Sequence, residues 1–168
     1  MKTIQILTMI AVAMIAVNSC FALGTDRDQP INIQSDSAIV DEKNGVSTYL
    51  GNVTVDQGTL HISADKVEVY ATKSEVLRII ASSEPDSGTL AHYEQQPDDK
   101  PLVVAEARKI IYLVQDEQLQ LLGAASLTQT RDRSFTGETI SYDVTEGRVS
   151  AESEGEGRVQ STFIPQKN

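Results

Sequence analysis

Tryptophan is absent from this 168-residue chain, cysteine occurs once and histidine twice. Only 5% of the residues are aromatic, too few to suggest a carbohydrate-stacking platform. The lone Cys20 permits no internal disulfide and no set of thiolate metal ligands. Basic residues number 14 against 24 acidic ones. That balance argues against nucleic acid as a partner and against a basic phosphate grip. No Gly-rich phosphate loop, nucleophile elbow or metal-ligand spacing occurs. His61 and His92 stand apart on separate predicted strands and read as incidental strand residues. The sequence gives no positive sign of catalysis and implies no cofactor, so the reading is a non-enzyme.

Long apolar runs are also missing, apart from one at the start. Lys2 precedes an apolar stretch from Ile4 to Val17, and Cys20-Phe21-Ala22 puts small residues where a signal peptidase reads. Residues 1–22 are therefore read as a cleaved secretory signal peptide, too short to span a bilayer comfortably. A second reading takes Val17-Asn18-Ser19-Cys20 as a lipoprotein signal with an acylated Cys20, a pattern that Asn18 fits poorly. Without Lys2 the balance is 13 basic to 24 acidic residues, a net charge of about −11. Residues 23–168 form one exported domain that depends on its sheet and core.

What the sequence does have is a repeated phrase. Leu50-Gly51-Asn52-Val53-Thr54-Val55-Asp56-Gln57 returns as Leu122-Gly123-Ala124-Ala125-Ser126-Leu127-Thr128-Gln129. A second element, Ile62-Ser63-Ala64-Asp65-Lys66-Val67-Glu68-Val69, returns at Phe135–Tyr142, with fainter copies at 33–40 and 105–112. All alternate apolar and polar residues, the period of a half-buried strand. A small residue recurs at Ser35, Ala64, Ala107 and Gly137, as a strand turning a corner requires. The copies predict a strand–kink–strand unit used four times, in two halves joined at the loop Gln95–Pro101. Lys43-Asn44-Gly45 and Gln57-Gly58-Thr59 predict tight turns. Two stretches have helical character, Glu75–Ile80 and Ala105–Leu122. They are assigned as strands because Ala105–Tyr112 aligns with the other copies, and a short helix near the mature N-terminus or at 105–114 is the expected exception.

Parity marks an inward face. Its first members are Ile31, Ile33, Val40, Tyr49, Val53 and Val55. Leu60, Ile62, Val67 and Val69 follow on the next strand, then Tyr93, Ile110 and Tyr112. The second half contributes Leu121, Ala125, Leu127, Phe135, Ile140 and Tyr142. These residues either fill a core or line a lumen that admits lipid chains, and parity does not separate the two.

Asp28–Asp36, Tyr49–Gly58, Ile62–Val67, Ala91–Gln95, Lys100-Pro101 and Gly137–Tyr142 together resemble the OstA-like family of periplasmic lipopolysaccharide export proteins. The similarity runs through nearly the whole mature chain in order. The resemblance implies an all-β fold, a β-jellyroll of many short antiparallel strands, elongated and open at both ends. It implies a periplasmic bridge that binds lipopolysaccharide, with the lipid A acyl chains inside. Its partners would be LptC of the inner-membrane LptBFG–LptC complex and the outer-membrane LptD–LptE translocon, with head-to-tail self-association. Ile31 and Ile33 match the family's lipid-contacting first strand. Tyr93 matches its central aromatic, or His92 if the loop shifts by one. Two rival readings remain: a structural β-solenoid or adhesin-like protein with a filled core, and an exported polysaccharide-active enzyme.

Overall fold

The computed structural model describes residues 26–96, 100–155 and 157–165. The signal-peptide reading, Cys20 and most of the C-terminal tail lie outside them. Twelve strands follow in order: β1 Asn32–Gln34, β2 Ser37–Asp41, β3 Val46–Gln57, β4 Leu60–Ala71, β5 Val76–Ser82 and β6 Ala91–Gln95. The second half holds β7 Val103–Ala107, β8 Lys109–Leu113, β9 Gln118–Gln129, β10 Arg133–Asp143, β11 Arg148–Glu152 and β12 Gln160–Phe163. The only helical pieces among the described residues are the 3-10 turns Asp26–Asp28 and Thr130–Asp132. Both stretches of helical character are strands. Their spacing matched a helix, but their cross-strand partners decided the outcome.

The strands form one antiparallel sheet folded into two layers. β3, β4, β9 and β10 are long and bent, and each contributes one half to each layer. The first layer runs β1, β3, β4, β6, β7, β9, β10, β12, and the second runs β2, β3, β4, β5, β8, β9, β10, β11. β4, β6, β7, β9, β8 and β5 close a ring. The predicted repeat copies sit at the bends. The copies at 62–69 and 135–142 bend within β4 and β10, and those at 33–40 and 105–112 bridge β1 to β2 and β7 to β8.

The bends show why the small residues are needed. Gly51 and Gly123 have φ of +77° and +79°, the left-handed region where glycine has no Cβ penalty. A Cβ on Gly51 would lie 2.3 Å from the Asp36 carboxylate. Asp36 N–H donates to the Gly51 carbonyl at 3.0 Å, and Arg108 N–H donates to that of Gly123 at 2.8 Å. The two halves repeat this geometry in detail. Positive φ occurs at Gly45 and Glu117, Gly51 and Gly123, Asn52 and Ala124, and Gly58 and Thr130, each pair 72 positions apart. The two halves therefore keep the same backbone turns even where one carries glycine and the other does not.

Between the layers lies a single apolar core. Val53, Val55, Leu60, Ile62, Val67, Ile79, Ile110, Leu119, Leu121, Leu127 and Ile140 are at most 2% exposed. Each such side chain contributes about 1.5–3 kcal/mol by leaving water.

Candidate functional site

The candidate site is the inner face of the folded sheet. Val53, Val55, Leu60, Ile62, Val67, Val69, Tyr93, Ile110, Tyr112, Leu127, Ile140 and Tyr142 are buried there, as parity predicts. Ile31, Ile33, Tyr49 and Phe135 are partly buried against the same core. Val40 departs from its expected burial and is 60% exposed. Its partner Ser47 lies two residues from Tyr49 on the inner face of β3, so Val40 shares that face. β2 is an edge strand, and among the described residues no further strand covers it.

The opposite end shows the same exposure. Phe163 on β12 meets Phe135 edge-on, with ring centroids 5.8 Å apart, yet Phe163 is 59% exposed. Val149 and Ala151 on β11 are only partly buried against the core. The apolar face thus runs from Ile33 and Val40 at one end to Phe135 and Phe163 at the other.

At the centre, Tyr93 and Tyr112 reach in from opposite layers and meet edge-to-face at 5.7 Å. Tyr93 faces inward and is buried, whereas His92 faces outward. Burial pushes the Tyr93 hydroxyl well above the ordinary tyrosine range, with neighbouring Tyr112 and Tyr142 adding to it. Burial also raises Tyr142, against a hydrogen bond from Gln129 that favours its phenolate.

Three buried glutamines were not predicted. Gln57, Gln95 and Gln129 end β3, β6 and β9 on the inner face. With Leu60 and Val103 they form one cross-strand row along the margin of the first layer. The signal was present: Val53-x-Val55-x-Gln57, Ala91-x-Tyr93-x-Gln95 and Ala125-x-Leu127-x-Gln129 each carry the inward parity one step further. A buried amide needs partners. Tyr93 donates its hydroxyl proton to Gln95 Oε1. Gln95 Nε2 donates to the Asp26 carboxylate at 2.7 Å, and Gln57 Nε2 donates to the Gln29 carbonyl at 3.0 Å. Asp26 is held in turn by the Thr59 amide and hydroxyl at 2.7 and 2.6 Å.

This margin, opposite the bends, is where the two layers part. A groove there is lined by Gln29, Ile31 and Gln57 from the first layer and Thr72, Val76 and Val114 from the second. Further along, the Lys100 ammonium crosses the gap and donates to the Val144 and Thr145 carbonyls at 2.7 and 3.0 Å. Lys100 thus ties the two layers across this margin, while at the bends the chain itself continues from one layer to the other.

Residues 32–148 match the model of the family described as the LptA/(LptD N-terminal domain) LPS transport protein. The chain belongs to the LptA family. It is 35% identical over 158 residues to the lipopolysaccharide export system protein LptA of Haemophilus influenzae, spanning 93% of this chain and 89% of that one. LptH of Pseudomonas aeruginosa is 34% identical, over 83% of this chain and 77% of its own. The Escherichia coli K12 LptA is 35% identical, over 86% and 76%. The crystal structure of the Pseudomonas aeruginosa LptH, described as a periplasmic component of the lipopolysaccharide transport device, superposes with a TM-score of 0.74 at 30% identity. It matches over 84% of this chain and all of that one. The all-β jellyroll is the LptA-family fold, and the family is one of transport proteins rather than enzymes.

Proposed function

We propose that this protein binds lipopolysaccharide in the periplasm and carries it between the inner-membrane and outer-membrane export complexes, with the acyl chains against the inner face of the sheet. The observation that carries this reading is the continuity of that face. It is largely apolar and ends incompletely covered at both extremities, with Val40 exposed beside partly buried Ile33 at one and Phe163 exposed beside partly buried Phe135 at the other. An apolar face left open at both ends suits a cargo that passes through. Each acyl CH₂ buried is worth about 0.8 kcal/mol, so the lipid needs no charged grip. Residues 1–22 would direct export and be removed, leaving 23–168 as the working domain.

Tyr93 and Tyr112 favour the rival filled core, since together they occupy the centre. In the transport reading they move apart when the margin at Gln29, Thr72 and Lys100 opens. Lys100 bridges that margin by two hydrogen bonds, which water replaces at small net cost.

The duplication suggests how copies and partners join. Inside the chain, β6 pairs with β7 and β5 with β8 where the halves meet. β12 and β11 occupy in the second half the places of β6 and β5, and β1 and β2 occupy in the first half the places of β7 and β8. The end strands of one copy can therefore dock on the start of another by repeating the internal joint, a head-to-tail contact that does not close. The first strands would meet LptC and the last LptD–LptE. Mature protein should bind lipopolysaccharide saturably, and Val55→Asp should abolish binding. A Val55→Asp variant that keeps its fold and its affinity would rule the reading out.

A further inference from the structure

Gln95, at the end of β6, joins the centre of the inner face to the segment that precedes β1. Residues 26–31 lie along the margin, where Gln29 and Ile31 line the groove between the layers. The Asp26 carboxylate seats this segment. One oxygen accepts the Thr59 amide at 2.7 Å; the other accepts the Thr59 hydroxyl at 2.6 Å and Gln95 Nε2 at 2.7 Å. Gly58 leaves the space for it, since a Cβ there would run into the Asp26 carboxylate. Further along, the Gln29 carbonyl accepts Gln57 Nε2 at 3.0 Å, and Ile31 packs on the core.

The direction of these bonds follows from the carboxylate. An ionised carboxylate only accepts hydrogen bonds. Asp26 therefore draws the Gln95 amide NH₂ toward itself and leaves Gln95 Oε1 pointing at Tyr93, where a donor is required. The Tyr93 hydroxyl is that donor. Its ring, oriented by this bond, meets Tyr112 of the opposite layer. One line of contacts thus runs from Thr59 at the margin through Asp26, Gln95 and Tyr93 to Tyr112 at the centre. The second half has a counterpart at the same margin. β7 holds there the place of β1, and Lys100 in the segment before it crosses to the Val144 and Thr145 carbonyls.

We propose that residues 26–31 form a strap that keeps the margin closed, and that Asp26 is the positioning residue through which the strap holds Tyr93 against Tyr112. The inference rests on the transport reading, in which the two tyrosines part. Unseating Asp26 lets Gln95 turn and releases the Tyr93 hydroxyl, so the margin and the centre open together. β1 keeps its pairing with β3 throughout. The bonds given up are ones that water can replace.

Stopped-flow entry and release of N-phenyl-1-naphthylamine, an uncharged probe that fluoresces in apolar surroundings, tests the strap without lipopolysaccharide. In the mature protein, Asp26→Ala should raise both rates on the order of 10-fold and leave the affinity nearly unchanged, as loss of a gate does. Asp26→Asn still accepts from the Thr59 amide and can turn the Gln95 amide round, so its rates should lie close to those of the wild type. Thr59→Val loses the hydroxyl donor alone and should fall between wild type and Asp26→Ala; it carries the same test if Asp26→Ala does not fold. Gly51→Ala destabilises a bend without touching the strap and should change neither rate, which separates strap release from general loosening. Circular dichroism confirms that each variant is folded. Equal rates in wild type and Asp26→Ala, or an acceleration by Gly51→Ala as large as that by Asp26→Ala, overturn the proposal and leave the transport reading standing. A probe that enters none of the proteins overturns the proposal together with the reading it rests on.

Discussion

Tyr93 of β6 and Tyr112 of β8 meet edge-to-face at 5.7 Å, from opposite layers of one folded sheet. Tyr93 is fully buried, and its hydroxyl is committed to Gln95. Removing the ring in Tyr93→Ala should cost about 3–5 kcal/mol. Tyr93→Phe leaves the Gln95 carbonyl without its donor and should cost about 1–3 kcal/mol. Urea denaturation of the three proteins checks both values.

The same tyrosines set a pH dependence. Tyr93 and Tyr142 are raised above the ordinary value near 10. In the unfolded chain they ionise near that value, while in the folded chain they stay neutral. Above pH 10 the folded state therefore binds more protons, and stability must fall as pH rises. Below pH 10 their contribution is fully present. Denaturation midpoints between pH 9 and 11 should show this decline, and Tyr142→Phe should make it shallower.

The bends predict different effects at the two successive left-handed positions of the corner, the first taken from one half and the second from the other. Gly51→Ala puts a Cβ at φ +77° and against Asp36, and should destabilise by about 1–3 kcal/mol. Ala124 has φ +50° and an exposed side chain. Ala124→Gly relieves about 1–2 kcal/mol of left-handed strain and adds about 0.5–1 kcal/mol of chain entropy cost. It should be neutral to slightly stabilising. Thermal melts of both variants test the pair together.

The uncovered ends should control assembly without controlling folding. Ile39 and Phe163 are 65% and 59% exposed on the outermost strands. Charges on edge strands block strand addition. Ile39→Lys and Phe163→Asp should each lower the mass seen by sedimentation at high concentration, and mixing the two variants should restore no more than a dimer through their intact ends.

Much of this was legible in the sequence for a physical reason. A corner in a sheet demands a small residue and a fixed alternation on either side, so the copies at 33, 62, 105 and 135 exposed the bends directly. The β5 segment was ambiguous because Val76, Leu77, Ile79 and Ile80 fit both periods; only pairing with β4 and β8 made it a strand. Parity anticipated which residues turn inward, Val40 included, but not the exposure of Val40, which depends on being at an edge. Strand order, and hence edge position, is a long-range property that parity does not carry. The glutamine row was missed because a polar residue at an inward position is recognised only once its partners are known. Here Tyr93, Asp26 and Gln29 come from distant places in the chain.

Photo-crosslinking tests the central claim most directly. A photoreactive phenylalanine analogue is placed at Tyr93, at Phe135, or at the outward His92, and the mature protein is incubated with lipopolysaccharide and irradiated. The account predicts lipid adducts at positions 93 and 135 and none at 92. Adducts at 92 with none at 93 would contradict it and leave the interior as a filled core.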